Sequence, residues 1–387
     1  MASLLLNNDD VHGLIAIRES IHRQPELAFH EFNTSQIVQN FLENQGIPFR
    51  VVEGTGVIAD IESGMPGPLV ALRGDMDALP IQEATGLPYE SQVSGVMHAC
   101  GHDIHTTWML GAAILLKREL KVGTVRLVFQ PAEEIIQGAA AVVASGALAG
   151  VQAIFGAHVD RNFPIGTVVV QPGSISAASD RFVLRVVGRS AHGARPHQGA
   201  DPIVAAGHII MMLQTIASRF TDPADPVVVT IGTISGGTAA NVIAPFVEMK
   251  GTVRSLREKT RQDIEARFRQ IISGADTSFG VATEVQWTRG VPSIENQSPY
   301  INWVETAVAD QVGAAQCVRL STANMAAEDF AVYLQTLPGA FIRIGVCEPG
   351  GRAVPAHSPE FYVDSTAIRG GAEILARIAI EAVNRLK

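Results

Sequence analysis

Three short apolar runs, each long enough for a buried strand, alternate with segments in which apolar residues recur at helical spacing. The runs cover 69–72, 125–129 and 153–157, and the helical segments between them cover 104–119 and 137–146. This alternation is typical of a mostly parallel sheet with helices on both faces, which binds ligands beyond the carboxyl ends of its strands. Each run leads into acidic or histidine residues, which are Asp75, Asp77, Glu133, Glu134 and His158. We therefore expect these side chains to meet at one edge of the sheet.

A segment between the first two strands concentrates metal-binding side chains. Residues 98–105 contain three histidines, a cysteine and an aspartate. Only a glycine separates Cys100 from His102, so both side chains can turn toward one point. Thiolate sulfur and imidazole nitrogen are ligands for borderline-soft divalent ions. A motif this short is in isolation more often a buried cysteine beside surface histidines, but the residues that follow the strands favour a metal site.

From about residue 179 the pattern of predicted elements changes. Strands, helices and strands follow in the order βαββαβ, which is typical of a ferredoxin-like sandwich; they are predicted at 181–188, 201–219, 226–233, 246–254, 257–273 and 282–287. The first pattern resumes after Pro292, with a strand at 341–345, a loop that holds His357 and a closing helix at about 364–385. We predict a discontinuous metal-binding catalytic domain, 1–178 and 292–387, with a second domain, 179–291, inserted into it.

Several short segments occur in an order that points to a known enzyme family. They are 98–103 (His-Ala-Cys-Gly-His-Asp), 131–134 (Pro-Ala-Glu-Glu), His158, 327–330 (Ala-Glu-Asp-Phe) and His357. With these motifs the chain resembles the M20 metallopeptidase family over nearly its whole length. It looks like the subgroup of N-acyl-amino-acid amidohydrolases, such as hippurate hydrolases and auxin-conjugate hydrolases. The resemblance implies a binuclear metal-dependent amidohydrolase that acts on linear amides, with the inserted domain as a lid and dimerisation domain.

The resemblance also implies how the metal site works. Its ligands would be Cys100, His102, Glu134, His158 and His357, and Glu133 would be the catalytic base. Adjacent glutamates on a loop can point in different directions, so one can bind metal while the other faces a metal-held water, whose pKa falls to about 7. Glu133 would take a proton from that water and pass it to the departing amine. The alternative is a solvated pair of glutamates.

Other polar residues near the motif are open to two interpretations. Asp77 fits a role in orienting a ligand imidazole, and it fits equally an Asx turn before Pro80. For His98, Asp103 and His105 nothing separates an orienting role from ordinary helix-start capping. A further group of histidines carries no functional signal and is interpreted as surface or core residues: His12, His22, His30 and His208.

Three residues of the inserted domain receive roles from the resemblance. His192 would stabilise the tetrahedral oxyanion, while Asn241 and Arg254 would hold the carboxylate of the substrate. Without the resemblance, each would be interpreted as a turn residue or a strand-end cation. The residues after His158, at 159–164, are more polar than we expect for the family, which leaves the specificity for the acyl group open.

Composition limits the partners and the compartment. A formal net charge of −9 argues against nucleic acid or an anionic membrane as the main partner. Three distant cysteines make a disulfide framework unlikely, so the cytoplasm is the default location. The N-terminal apolar run is too short for a signal peptide, and we expect no segment that spans a bilayer.

The sequence thus favours hydrolysis of an N-acyl amino acid to a carboxylic acid and a free amino acid. A dipeptidase or carboxypeptidase of the same family is an alternative, since a peptide is also an N-acylated amino acid, and a non-catalytic binding protein with this fold is another. The resemblance implies two divalent ions, and mixed sulfur, nitrogen and oxygen ligands suit zinc or manganese first and then cobalt or nickel.

The positions of two predicted substrate ligands indicate a dimer. Asn241 precedes the strand at 246–254 and Arg254 ends it, and eight steps of about 3.3 Å separate the ends of that strand by roughly 26 Å. One copy of the domain does not easily place both residues on a small substrate. We therefore expect a two-fold homodimer in which Asn241, with His192, reaches across to the partner. The alternative is a monomer with a bent strand.

Overall fold

The computed structural model describes residues 3–320 and 324–387, which form two compact units. The large unit comprises the chain up to Ile175, the stretch that follows Glu295 and the stretch Asp329–Lys387. The inserted unit comprises Ser176–Ile294 and a short segment that ends at Glu328. The predicted boundaries, 178/179 and 291/292, lie within three residues of these, but the return of the short segment before Asp329 to the inserted unit was not predicted.

The predicted helices and strands occur in the predicted order, together with elements that were not predicted, such as α7 and the two-residue strands. The α-helices are α1 Asn8–Arg23, α2 Phe32–Asn44, α3 His102–Glu119, α4 Gly138–Ala144, α5 Pro202–Thr215, α6 Glu258–Phe279, α7 Ser298–Val312 and α8 Ala367–Arg385. The strands are β1 Phe49–Val52, β2 Gly56–Glu62, β3 Leu69–Asp75, β4 Thr124–Gln130, β5 Ala153–Pro164, β6 Val168–Val169, β7 Gly173–Ser174, β8 Ala178–Val187, β9 Val227–Gly236, β10 Phe246–Ser255, β11 Ala282–Arg289, β12 Glu295–Asn296, β13 Cys317–Val318 and β14 Gly339–Cys347.

The large unit is built on one sheet with the strand order β1-β2-β4-β3-β5-β14-β6-β13. Its central strands β4, β3, β5 and β14 are mutually parallel, and antiparallel pairs lie toward the edges. Helix α3 is buried from His102 to Leu116, because it packs between the sheet and the neighbouring helices α1 and α8. The α/β class with a mostly parallel sheet is confirmed.

Strand β5 is longer than predicted, and His158 lies in its middle instead of at its end. β14 runs beside β5 beyond His158, with Arg343 opposite His158 and Gly345 opposite Asp160. Backbone pairing therefore continues through residues whose polar side chains are typical of a loop. Near the N-terminus, α2 begins at Phe32, and the Glu26 carboxylate accepts the Thr34 N–H at 2.8 Å.

The inserted unit has the strand order β11-β8-β10-β9, with antiparallel pairs throughout. This is the order of a ferredoxin-like βαββαβ sandwich, as predicted. Residues of β8 alternate between buried and more exposed positions, so one face of the sheet is covered, and α5 and α6 supply the cover. The core includes Phe182, Ile209 and Phe268.

One helical segment among the described residues, Pro202–Phe220, is long and apolar enough to span a bilayer, although we expected none. It consists of α5 and a following π-helical turn, Ile216–Phe220. Its buried side chains, Ala205, Ile209 and Leu213 among them, pack in the core of the inserted unit. The apolar character of this segment is therefore explained by its packing on the sheet of the inserted unit.

Candidate metal centre

The predicted metal ligands converge in the large unit from separate elements. Cys100 and His102 stand at the start of α3, Glu134 follows β4, His158 lies in β5, and His357 is on the loop after β14. Cys100 Sγ lies 3.3 Å from His158 Nε2. Glu134 lies between two histidines, with Oε1 3.8 Å from His102 Nε2 and Oε2 3.4 Å from His357 Nε2. The predicted convergence at the sheet edge therefore extends to the loop after β14.

Gly101 allows Cys100 and His102 to face the same point. Its φ of 85° is left-handed, and a Cβ atom there would lie 2.6 Å from Val159 Cγ2. Any other residue would be strained and would clash with β5. The glycine thus brings the start of α3 against the strand that carries His158.

The donor atoms fit divalent metal ions. His102 Nε2 and Glu134 Oε1 are buried and have no hydrogen-bond partner among the described residues, which is costly unless an ion binds there. Burial raises the pKa of the Cys100 thiol well above its usual range and raises the pKa of Glu134 to about 7. Burial also lowers the pKa of His158 well below its usual range, which favours the neutral imidazole that binds metal. A divalent ion supplies the positive charge that a thiolate and a carboxylate need in this setting.

Asp77 holds several of these groups in place. Its Oδ1 lies 3.2 Å from His102 Nδ1 and accepts the Glu133 N–H at 3.0 Å, while its Oδ2 accepts the Glu134 N–H at 2.9 Å. A proton on His102 Nδ1 leaves Nε2 free to bind an ion. These contacts support the orienting role of Asp77.

Glu133 lies beside the donor cluster and is 6% exposed. The Asp329 N–H donates to its Oε1 at 3.3 Å. The preceding residue, Ala132, has a left-handed φ of 57°, and its N–H is bound by Glu31 Oε1 at 2.9 Å. This turn fixes the backbone of the two adjacent glutamates. Glu31 was not predicted as a site residue, since the sequence shows only an acidic residue just before a helix.

His105 belongs to the framework of the site. Its Nδ1 lies 2.6 Å from Asp75 Oδ1, and its Nε2 accepts the Val159 N–H at 2.9 Å. Arg73 also binds Asp75, at 2.5 Å. The chain Arg73–Asp75–His105 thus reaches the backbone of β5 next to His158. This arrangement supports an orienting role over helix capping.

His22, which was interpreted as a surface or core residue, is buried and contacts the helix that carries His102. Asp103, on α3 next to His102, lies 2.7 Å from Arg18 Nε and 2.8 Å from His22 Nδ1, and His22 Nε2 lies 3.2 Å from Glu83. All of these side chains are buried. Although burial by itself lowers it, the Asp103 carboxylate raises the pKa of His22. The four-residue spacing of Arg18 and His22 places both on one face of α1, and this spacing was the sequence signal for a shared partner.

The structure brings together two of the three predicted residues of the inserted unit. His192 and Val242 form a β-bridge, and the Gly193 N–H donates to the Asn241 carbonyl at 2.7 Å. Both His192 and Asn241 are exposed. Arg254 lies near the opposite end of β10, where its Nη1 donates to the Met325 carbonyl at 3.0 Å. Burial, and then the nearby Arg181 charge, lower the pKa of Arg254.

Comparisons with known proteins agree with this geometry. The sequence model of peptidase family M20/M25/M40 matches residues 71–381. An N-acetylcysteine deacetylase of Bacillus subtilis (strain 168) is 39% identical over 379 residues, which cover 97% of this chain and 98% of the relative. An IAA-amino acid hydrolase of Arabidopsis thaliana is 39% identical over 386 residues, which cover 97% and 88%. A solved dinuclear metal-binding peptidase of the M20 family from Bacillus subtilis superposes with a TM-score of 0.86 at 37% identity, over 98% of this chain and 99% of that one.

Proposed function

Because the chain belongs to peptidase family M20, we propose that it is a metal-dependent hydrolase that cleaves the amide bond of N-acyl amino acids. The products are a carboxylic acid and a free amino acid. The observation that carries this proposal is the convergence of one thiol, three imidazoles and a carboxylate beside the second carboxylate of Glu133. Relatives named for N-acetylcysteine and IAA-amino acid substrates support the same bond type.

In this proposal Cys100, His102, Glu134, His158 and His357 hold two divalent ions, zinc or manganese, or alternatively cobalt or nickel. When bound, the ions would supply Lewis acidity toward the amide carbonyl and lower the pKa of a water to about 7. Asp77 keeps the His102 imidazole and the backbone of the glutamate pair in place. A centre that depends on the Cys100 thiol suits the cytoplasm, where thiols stay reduced.

Glu133 serves as the general base in this mechanism. Its carboxylate takes a proton from the attacking water and transfers it to the leaving amine nitrogen. The Asp329 N–H on Oε1 holds the carboxylate in one orientation. We propose that His192 stabilises the oxyanion, because its imidazole can donate a hydrogen bond. Asn241 and Arg254 would bind the carboxylate of the substrate, for which the guanidinium fork is suited.

A dipeptidase or carboxypeptidase is the second candidate, because the dinuclear relative is named a peptidase. A panel of N-acetyl, N-benzoyl and dipeptide substrates, with ninhydrin detection of the released amino acid, separates the two. Chelator should abolish turnover and added metal should restore it. Release from dipeptides alone would make the protein a peptidase. Metal-replete protein without turnover on any substrate would favour a binding protein.

We also propose that the protein is a two-fold homodimer joined through the inserted unit. β9 is an edge strand, and the outer face of α5 carries apolar side chains with exposures of 51% at Ile203, 48% at Val204 and 72% at Met211. A second copy would cover this apolar surface. The roughly 26 Å between the ends of β10 favours Arg254 acting in its own subunit and Asn241, with His192, acting in the partner's site.

Mixing two inactive variants tests the shared site. Glu133→Ala lacks the base and Asn241→Ala lacks the residue that crosses, so each heterodimer contains one complete site. Random exchange after reversible dissociation should restore roughly a quarter of wild-type activity. Heterodimers that form by mass measurement but stay at background activity would contradict the shared site, and a monomer at working concentration would contradict the dimer.

A further inference from the structure

The loop that carries His357 is held at both ends by one buried arginine of β5. Arg161 Nη1 donates to Glu348 Oε2 at 3.1 Å and to the Tyr362 carbonyl at 2.9 Å. Its Nη2 donates to Glu348 Oε1 at 3.3 Å and to the Arg352 carbonyl at 2.7 Å, and its Nε donates to the same carbonyl at 3.2 Å. The guanidinium thus contacts the chain on both sides of His357.

Further contacts close this arrangement, which we call the Arg161 clamp (Arg161, Glu348, Arg352 and Tyr362). The Tyr362 ring stacks on the guanidinium at 4.0 Å, and the Tyr362 hydroxyl donates to Glu348. Arg161 itself is 4% exposed. Because the planar guanidinium is buried and its donors are paired, these contacts specify one geometry.

His357 needs such support more than the other proposed ligands do. Its side chain is 54% exposed, whereas that of His102 is fully buried. Its backbone has a left-handed φ of 65°, which is unusual for a residue with a Cβ atom. Its N–H donates to the Ala99 carbonyl at 2.8 Å, next to Cys100. The loop must therefore be held in an unfavourable conformation at a half-exposed position.

We propose that Arg161 is a positioning residue for metal binding, which ties the strand of His158 to the loop of His357. The inference rests on the proposed function, since it requires His357 to bind an ion. It also explains the polar stretch after His158: β5 extends to present Arg161 to the loop. Loss of the clamp should weaken the ion that His357 holds, because the imidazole then samples positions away from it.

The test compares metal affinity in Arg161→Met and Arg343→Met. Arg343 is a matched control, since it forms an ion pair with Asp160 at 2.8 Å on the neighbouring strand. Titration of chelator-treated protein with Zn²⁺ should show about 10- to 100-fold weaker binding of one ion in Arg161→Met. Arg343→Met should bind both ions nearly as the wild type does. Arg161→Lys should remain impaired, because an ammonium group lacks the planar fork of donors.

A double variant separates positioning from general damage. If Arg161 acts through His357, Arg161→Met combined with His357→Ala binds metal no more weakly than His357→Ala alone. Additive losses, or equal losses in Arg161→Met and Arg343→Met, would overturn the inference. Unchanged metal binding in His357→Ala would instead overturn the proposed ligand set. Thermal unfolding of the metal-free variants identifies any that fail to fold, and Arg161→Lys then carries the comparison.

Discussion

The polar side chains of the two candidate site regions differ in burial. Around the candidate metal centre, arginines such as Arg18 and Arg161 are buried and bind carboxylates of distant segments. In the inserted unit, His192 and Asn241 are exposed, and Arg254 is only partly buried. Buried contacts therefore surround the site of the large unit, while the three site candidates of the inserted unit remain accessible, although that unit also buries an ion pair between Arg261 and Asp180.

The helices show the same difference. α3 is buried almost throughout, from His102 to Leu116, although it carries histidines, threonines and an aspartate. α5 is more apolar in sequence, yet Val204 and Met211 remain exposed. Burial in this protein therefore follows position in the fold more closely than composition. The open apolar face of α5 is the surface that the proposed dimer would cover.

The largest expected effect lies in the buried site. Glu133→Gln should lower kcat by about 10²- to 10⁴-fold, because it removes the proposed general base while keeping the shape of the side chain. Elemental analysis should find close to two metal ions per chain in both the wild type and Glu133→Gln. A variant that keeps more than half of the wild-type kcat would remove Glu133 from the mechanism.

Breaking the buried ion pairs should cost stability next. Asp103→Asn leaves Arg18 buried without its charge partner, which typically costs about 3–5 kcal/mol of unfolding free energy. Urea unfolding of metal-free protein at pH 7 measures this loss. Leu5→Ala, a change at an exposed position, serves as the control. A loss below about 1 kcal/mol, the range of surface pairs, would contradict the contrast between the units.

Arg254→Ala should affect binding and leave folding largely intact. The KM for substrates with a free α-carboxylate should rise about 10- to 100-fold, in line with the loss of a charge-assisted contact. Substrates with an amidated carboxyl group should change little. Comparable losses on acid and amide substrates would make Arg254 a structural residue and weaken the contrast with Arg161.

The smallest effect concerns pH. Because the pKa of His22 is raised in the folded state, the protonated form contributes stability that is fully present below the unfolded pKa of about 6.5. That contribution disappears as pH rises through the folded pKa. His22→Gln should therefore be less stable than the wild type by about 2 kcal/mol at pH 6, with a smaller gap at pH 9. A gap that widens toward pH 9 would mean that His22 is buried as the neutral form.

Much of the fold was predictable from local periodicity. Short apolar runs predicted central strands, and apolar residues at helical spacing predicted helices. The order of the predicted elements then indicated the ferredoxin-like insertion. The motif at 98–103 and the glutamates at 133 and 134 identified a metal site, because each brings ligand-type residues within a few positions. These patterns involve residues that are close in the chain, so they can be recognised without knowing the fold.

Contacts between distant residues could not be predicted from local patterns. β5 continues past His158 because β14 lies beside it, and a strand whose pairing comes from a distant segment shows no apolar pattern of its own. Asp103 finds Arg18 and His22 more than eighty positions away, and Arg161 finds Glu348 across 187. Most of the elements and the candidate ligands could be predicted from the sequence, since they depend on neighbouring residues. The partners of the buried charges depend on the packing of whole elements, which no local pattern encodes.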